Sequence, residues 1–414
     1  MKEHLNITIV GAGVSGLVAA TVLEQQGYTP TIIETTDKVG GRVKTDYIDN
    51  YQLDHGFQVL LTSYPLAKKY LDYNNLDLQK ISPGAIIFNN KSMSSIGDPL
   101  RDKSFLFSTL FSSLLSFKDK LKVFKLNNTL KKKTIAKIFK DKETSTYRYL
   151  LDFGFSSKAI DNFFLPFFSG IFLENKLETS SRMFEFIYKM FGDGYAAIPK
   201  TGMQAIPNQL KNQLKKTKFI FNTKVEQINN TELHLSNGDI IKSDYTLITV
   251  NPNKILNTNT TKATKWKSCH TLYFETPSKT IHKALIGLIT DKSSLINNIF
   301  YHTSLKTNKK AKNELLSVTI VKDHELNHND LIKRITQELS EICNINHINF
   351  IKDYKIPIAL PKNNLVLNSN DNIKLKNNIY LAGDYLLNGS LNAAMYSGEY
   401  AAKEMIKDLE QSPE

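Results

Sequence analysis

The sequence predicts an α/β protein built on a parallel sheet, with a second α+β region set into it. Three observations carry that expectation. A β-branched run, Ile7 to Val10, leads directly into Gly11, Gly13 and Gly16. A second run, Thr31 to Ile33, ends on an acid, Glu34. Near the other end, Tyr380 to Ala402 reads YLAGDYLLNGSLNAAMYSGEYAA, a buried-strand pattern that turns helical after Gly383-Asp384.

Each element has a physical reason. Ile7 to Val10 is short and wholly β-branched, as a buried parallel strand is. Leu17 to Gln26 has helical character, and Gly27 ends it. Gly11 permits the tight turn between the two. Gly13 lets backbone approach a pyrophosphate, and Gly16 lets the helix lie close to the strands. Val14 and Ser15 precede that helical stretch, and free N–H groups at the helix N-terminus favour an anion. Glu34 can accept from a ribose diol and would repel a 2′-phosphate. Together these parts make a Rossmann-like dinucleotide-binding unit. Next comes VGGRV, Val39 to Val43, in which Gly41 and Arg42 offer flexible backbone and a guanidinium to a pyrophosphate. A plain turn with a surface arginine is the alternative. LDHGF, Leu53 to Phe57, sets Gly56 among polar groups.

Composition bounds the rest. A chain of 414 residues, 41% hydrophobic, is long enough for two domains. The net charge is +13, from 53 basic and 40 acidic residues. Such an excess can meet nucleic acid, an anionic membrane surface or acidic ligands, and a solvated lysine-rich surface is the plainer reading. No nucleic-acid-binding signature accompanies it, so no nucleic-acid partner is expected. The two cysteines, Cys269 and Cys343, suggest neither a disulfide framework nor a metal site. The N-terminus lacks a signal peptide's long apolar stretch, so a cytoplasmic protein is expected.

At this point the chain resembles the flavin-containing amine oxidase superfamily, which includes monoamine oxidases, protoporphyrinogen oxidases and phytoene desaturases. The resemblance rests on ordered blocks: VGAGVSGL with Glu34, VGGRV, LDHGF, PKTGMQAIPNQL at Pro199 to Leu210, TKVEQI at Thr223 to Ile228, and the terminal segment. It implies FAD in an extended pose. Glu34 would bind the adenosine ribose, and Arg42 with the amides of Gly13 to Ser15 the pyrophosphate. Val225 would meet the adenine. Asp384, after Gly383, would accept from the ribityl hydroxyls, a plain helix cap being the other reading. Leu391, Asn392 and Ala393, opening the last helix, would face the isoalloxazine, where small residues allow close approach. Covalently linked members attach flavin through a cysteine; Cys343 lacks that context, so non-covalent FAD is expected.

The cofactor blocks are scattered. The FAD domain is therefore expected over 1–80, 196–256 and 366–414, and a substrate domain over 81–195 and 257–365. In the latter, His270 to Glu275 and Glu314 to Val321 read as strands, and HNDLIKRITQELSEICN as an amphipathic helix opening with Asn329 and Asp330. The phenylalanine-rich stretch Tyr149 to Ser181 reads as core and as a cavity wall. In the stretch 103–142, Leu110, Leu114, Phe117, Leu121 and Phe124 fall on one helical face, with Lys118, Lys122 and Lys125 largely off it. That face either packs on the substrate domain or makes peripheral contact with a membrane.

The expected function is an FAD-dependent oxidoreductase that dehydrogenates or isomerises a bulky, mostly apolar small molecule. The family's amine oxidases place an aromatic just before the flavin-facing helix; here that position is Ser390, with Tyr385 or Tyr396 as partial substitutes. A true amine oxidase releasing peroxide is the alternative, and a basic lipid- or nucleic-acid-binding protein with structural FAD a second. The catalytic residues stay open. His55 is a candidate proton relay beside the reading of a structural histidine. The superfamily's lysine near the flavin is equally Lys279, Lys283 or Lys306.

Overall fold

The structure is a computed structural model that describes residues 5–89, 92–98, 101–102, 105, 115–256, 264–307, 311–362, 366–369, 373–375 and 378–411. Leu110 and Leu114 lie outside them.

Ile7–Val10 is the middle strand of a five-stranded sheet ordered Lys218–Ile220, Thr31–Ile33, Ile7–Val10, Tyr245–Ile248, Ile379–Leu381. Every pair in it is parallel. Parallel strands are covered on both faces, which is why these runs are nearly all apolar. Ile7 and Ile9 point into the main core, with the helices Val14–Gln25 and Leu391–Gln411. Val10, Ile33 and Ile248 point the other way. There they meet Val225, Ile228 and Leu233 of an antiparallel meander, Val225–Asn229, Glu232–Leu235 and Ile240–Lys242. The result is three layers, helices, parallel sheet and meander.

The first helix begins at Val14, three residues before the sequence pattern placed it. The turn Gly11–Gly13 takes up the whole reversal, and with Gly13 at the cap position Val14 opens the helix. The last helix crosses close to it. A Cβ on Gly398 would lie 2.1 Å from the Ser15 carbonyl oxygen, so only glycine lets the two helices approach this far.

A second sheet has seven strands, ordered Asn349–Pro361, Trp266–Thr276, Glu314–Ile320, Ile296–Tyr301, Ile286–Ile289, Gly84–Asn89, Ser92–Gly97. Only the pair Ile286–Ile289 with Gly84–Asn89 is parallel. The helix His328–Cys343 covers one face through Leu331, Ile335 and Leu339. Its cap is the Asn327 side chain, which accepts from Asp330 N at 3.0 Å, so Asn329 lies inside the first turn. Tyr51 and Leu53 pack against the opposite face, on Tyr273 and Leu315.

The segment between the sheets is helical. Phe164, Phe168, Phe172 and Phe184 are buried at its centre with ring centroids 4.7–6.5 Å apart. A π-helical turn, Ile160–Phe164, runs into Leu165–Phe172. Among the described residues no helix is long and apolar enough to cross a membrane.

The helix crossing gives the first prediction. Gly398→Val should cost about 3 kcal/mol through overpacking. Urea denaturation, read as the transition midpoint, checks it.

Candidate active site

The glycine turn is the fixed point. Gly40 N donates to Ala12 O at 2.9 Å, so the Val39–Arg42 loop lies along the turn. Glu34 follows the second strand and is buried. Its carboxylate accepts from Ala12 N (2.8 Å), Thr36 N (2.9 Å) and Thr36 Oγ (2.8 Å). The acid at the strand end thus holds the turn in shape while keeping lone pairs for a ligand. Glu34 O accepts from Thr223 N at 3.0 Å, which seats Val225 beside Val10 and Ile33.

From the far end of the chain, Gly383 places Asp384 next to this assembly. Gly383 has φ +146°, and a Cβ there would strike the Tyr385 ring. Its N–H donates to Ser397 Oγ on the last helix at 2.9 Å. Asp384 is nearly buried and forms an ion pair with Arg42 Nη2. The other guanidinium nitrogen, Nη1, donates to Ala359 O at 2.9 Å, and the group lies 5.2 Å from the Trp266 ring. Burial works against the Arg42 charge, but Asp384 more than offsets it and raises its pKa. Leu391, Asn392 and Ala393 open the last helix just beyond. Asn392 Oδ1 accepts from Leu66 N at 3.0 Å. Ser390 Oγ accepts from Ala393 N at 3.0 Å and so caps that helix.

Gly11, Gly13, Val14, Ser15, Gly16, Glu34, Gly41, Arg42, Val225, Gly383, Asp384 and Leu391–Ala393 therefore converge. His55 and Gly56 adjoin this group, since Gln58 Nε2 donates to both Arg42 O (2.9 Å) and His55 O (3.0 Å). His55 Nε2 pairs with Asp46 at 2.8 Å, and its ring stacks on Tyr354 at 4.3 Å. Gly56 faces Ile356.

The chain leaves a ligand-sized demand at this place. Ser15 Oγ, Gln204 Oε1, Trp266 Nε1 and Tyr385 OH are buried with no protein partner. Buried polar atoms are rarely left so. Ser15 adjoins the glycine turn, Gln204 donates to Val39 O at 2.7 Å, Trp266 lies by Arg42, and Tyr385 covers Gly383. A Cβ on Gly13 would meet nothing within 4 Å, so protein packing does not explain the glycine there. Close approach by a ligand does. The donors, the helix N-terminus and the acid fit a flavin nucleotide.

A cavity opens beside Asn388 and Gly389, walled by Phe172, Met183, Leu360 and Lys267. Lys267 was not among the lysines singled out from sequence. Its Nζ donates to Phe172 O (2.8 Å) and Thr179 Oγ1 (2.9 Å) and lies 3.2 Å from Glu174. Burial lowers its pKa despite Glu174. Lys279 instead pairs with Glu314, Lys283 lies by Asp102, and Lys306 is exposed. The missed signal was position: Lys267 stands next to Trp266, whose ring lies 5.2 Å from the Arg42 guanidinium.

A sheet of five parallel strands, a glycine turn at a helix N-terminus and an acid closing the second strand define a nucleotide-binding oxidoreductase fold. The chain matches the family model "Flavin containing amine oxidoreductase" over residues 14–406, and it belongs to that family of flavin-dependent oxidoreductases. It is 36% identical over 74 residues to an L-amino-acid oxidase of Sistrurus catenatus edwardsii, which covers 18% of this chain and 14% of that one. It is 32% identical over 82 residues to a coproporphyrinogen III oxidase of Propionibacterium freudenreichii subsp. freudenreichii, covering 20% and 16%. Both matches thus span less than a fifth of the relative's length. A candidate protoporphyrinogen oxidase from Exiguobacterium sp. 255-15 has the same fold, with TM-score 0.72 and 17% identity over 99% of this chain and 100% of that one.

Beneath the site, Asp54 yields a pH prediction. Burial raises its pKa from 3.8 to about 6, against hydrogen bonds from Thr45 and Met203 N. A raised folded pKa means that Asp54 favours folding most below pH 3.8, and that this contribution is lost as pH rises through about 6. Relative to Asp54→Asn, the wild type should lose about 3 kcal/mol of stability across that window. Denaturation midpoints of the two proteins at pH values on either side test it; parallel profiles would refute it.

Proposed function

We propose that the protein is an FAD-dependent oxidoreductase that dehydrogenates or isomerises a bulky, mostly apolar substrate, with FAD held non-covalently. FAD, when bound, supplies the hydride acceptor at N5, so few protein groups are obligatory. The chain's own residues bind and orient. Glu34 would take the adenosine ribose, and the amides of Gly13 to Ser15 the pyrophosphate, with Arg42 in reach. Val225 would back the adenine, Asp384 would accept from ribityl hydroxyls, and Leu391 to Ala393 would lie against the ring.

The observation that carries the substrate reading is Ser390. The family's amine oxidases hold an aromatic at this position as half of a cage. Here the residue is buried, donates to Asn388 Oδ1 at 2.7 Å, and caps the last helix. That position therefore offers no ring to grip an amine, and the cavity beside it has Phe172, Met183, Leu360 and Val366 in its wall, with Glu174, Glu178 and Lys267 among them. Within the cavity, Lys267 is the buried amine that could hold a water or move a proton at Nζ, its pKa lowered by burial and raised in part by Glu174.

Amine oxidation is the second reading. Trp266 and Tyr385 favour it, because their ring centroids lie 6.5 Å apart and can flank a small amine. The similarity to an L-amino-acid oxidase points the same way.

Anaerobic reduction of the purified protein, followed by oxygen, separates the two. Slow return of the oxidised flavin bands is expected. Fast return, with peroxide formed from amines, would establish the second reading instead. No flavin bands even after added FAD would overturn both. In the same assay Lys267→Met should slow substrate oxidation or reoxidation roughly 100-fold with an unchanged oxidised spectrum. Unaltered kinetics would remove Lys267 from the chemistry.

A further inference from the structure

The helix Phe117–Lys132, FKDKLKVFKLNNTLKK, has a surface that the flavin site does not explain. Phe117, Leu121 and Phe124 share one stripe at i, i+4, i+7 spacing. They are 69%, 55% and 57% exposed. The packed side is the opposite one, formed by Asp119, Leu126 and Leu130. Asp119 fixes that orientation, because its carboxylate accepts from Ser156 N (3.0 Å), Ser156 Oγ (2.8 Å) and Ser116 Oγ (2.5 Å). Rolling the apolar ridge inward would break both bonds to Ser156 and carry the carboxylate away from them. The sequence left open whether this stripe packs on the protein; its described residues do not.

Charge frames the ridge. The helix holds six lysines and one acid, 6 − 1 = +5. Lys118, Lys125 and Lys132 recur every seven residues along one flank, and Lys120 and Lys131 lie on the other. Single exposed apolar residues need no explanation, but three large ones in a row between cationic flanks do.

We infer that this helix docks the protein onto the surface of an anionic phospholipid bilayer. It lies in the interface plane, ridge inserted among the acyl chains and lysines level with the headgroups. Sixteen residues span only about 24 Å, and the lysines bar insertion across the core, so the helix lies on the membrane. A second copy of the chain is the poorer occupant, because two such faces would bring five positive charges against five. A nucleic acid would use the lysines and leave the ridge in water. This inference stands apart from the substrate reading and does not depend on it.

The test is vesicle flotation of the intact flavoprotein at about 0.1 M salt. Vesicles of phosphatidylcholine with about one third phosphatidylserine should bind at least tenfold more tightly than phosphatidylcholine alone. Phe117→Ser/Leu121→Ser/Phe124→Ser should weaken binding at least tenfold with unchanged thermal midpoint, since the three side chains are exposed. Lys118→Gln/Lys125→Gln/Lys132→Gln should weaken it about 100-fold and flatten its salt dependence. The inference fails if the anionic vesicles do not bind at low salt, or if the serine variant binds as well as wild type. It also fails if that variant abolishes a concentration-dependent dimer, which would assign the ridge to a second copy. Displacement from vesicles by an RNA oligonucleotide whose own binding ignores the ridge would assign the helix to nucleic acid.

Discussion

The ion pair between Arg42 and Asp384 holds the two ends of the chain to one another. Their separation in sequence is 342 residues. The Asp384 side chain is 6% exposed, and a carboxylate that deep is costly unless a cation accompanies it. Arg42 meets the need and through Nη1 also donates to Ala359 O, at the edge strand of the second sheet. One guanidinium therefore fixes the distance between the parallel sheet, the last helix and the sheet that walls the cavity. Gly383, Ser397 and the capped start at Ser390 then set the angle at which the last helix leaves this point.

Around that joint the site is made of groups whose needs the chain itself only partly meets. Glu34 spends its carboxylate on Ala12 and Thr36 and so shapes the turn it also serves. Ser15, Gln204, Trp266 and Tyr385 hold polar atoms that nothing in the chain satisfies. Such atoms lower the stability of an empty protein, and a ligand that engages them is bound more tightly for it. The family membership supplies the ligand's class, a flavin.

What the sequence made legible follows from locality. Gly11, Gly13, Gly16 and Glu34 could be read because a tight turn, a close approach and a ribose each demand a residue type within a few positions. Asp384 was legible through the blocks flanking it, but its pairing with Arg42 was not, since no local pattern encodes a contact across the chain. The same limit hid Lys267, whose neighbours Thr179 and Glu174 belong to a distant loop. Periodicity showed that Phe117, Leu121 and Phe124 share a stripe. It could not say which side of the helix packs, which Asp119 and two serines decide. The long edge strand Asn349–Pro361 escaped notice because it contains Pro357 and does not alternate, Phe350 adjoining Ile351 and Lys352 adjoining Asp353. Its pairing slips between Lys267 and Cys269, opposite that proline, where a missing N–H does least harm.

The strand order of the parallel sheet has a consequence for how the chain is made. The first strand, Ile7–Val10, lies between Thr31–Ile33 and Tyr245–Ile248, and the edge is closed by Ile379–Leu381. The helix that seals its face begins at Leu391. A growing chain on the ribosome thus carries its glycine turn exposed through most of synthesis, with one sheet neighbour in place and the others not yet made. Non-local pairing of this kind is slow and leaves apolar strand edges open to the wrong partners. The nucleotide-binding half, although its first strand is made early, can be completed only once Ile379–Leu381 and Leu391–Gln411 have left the ribosome.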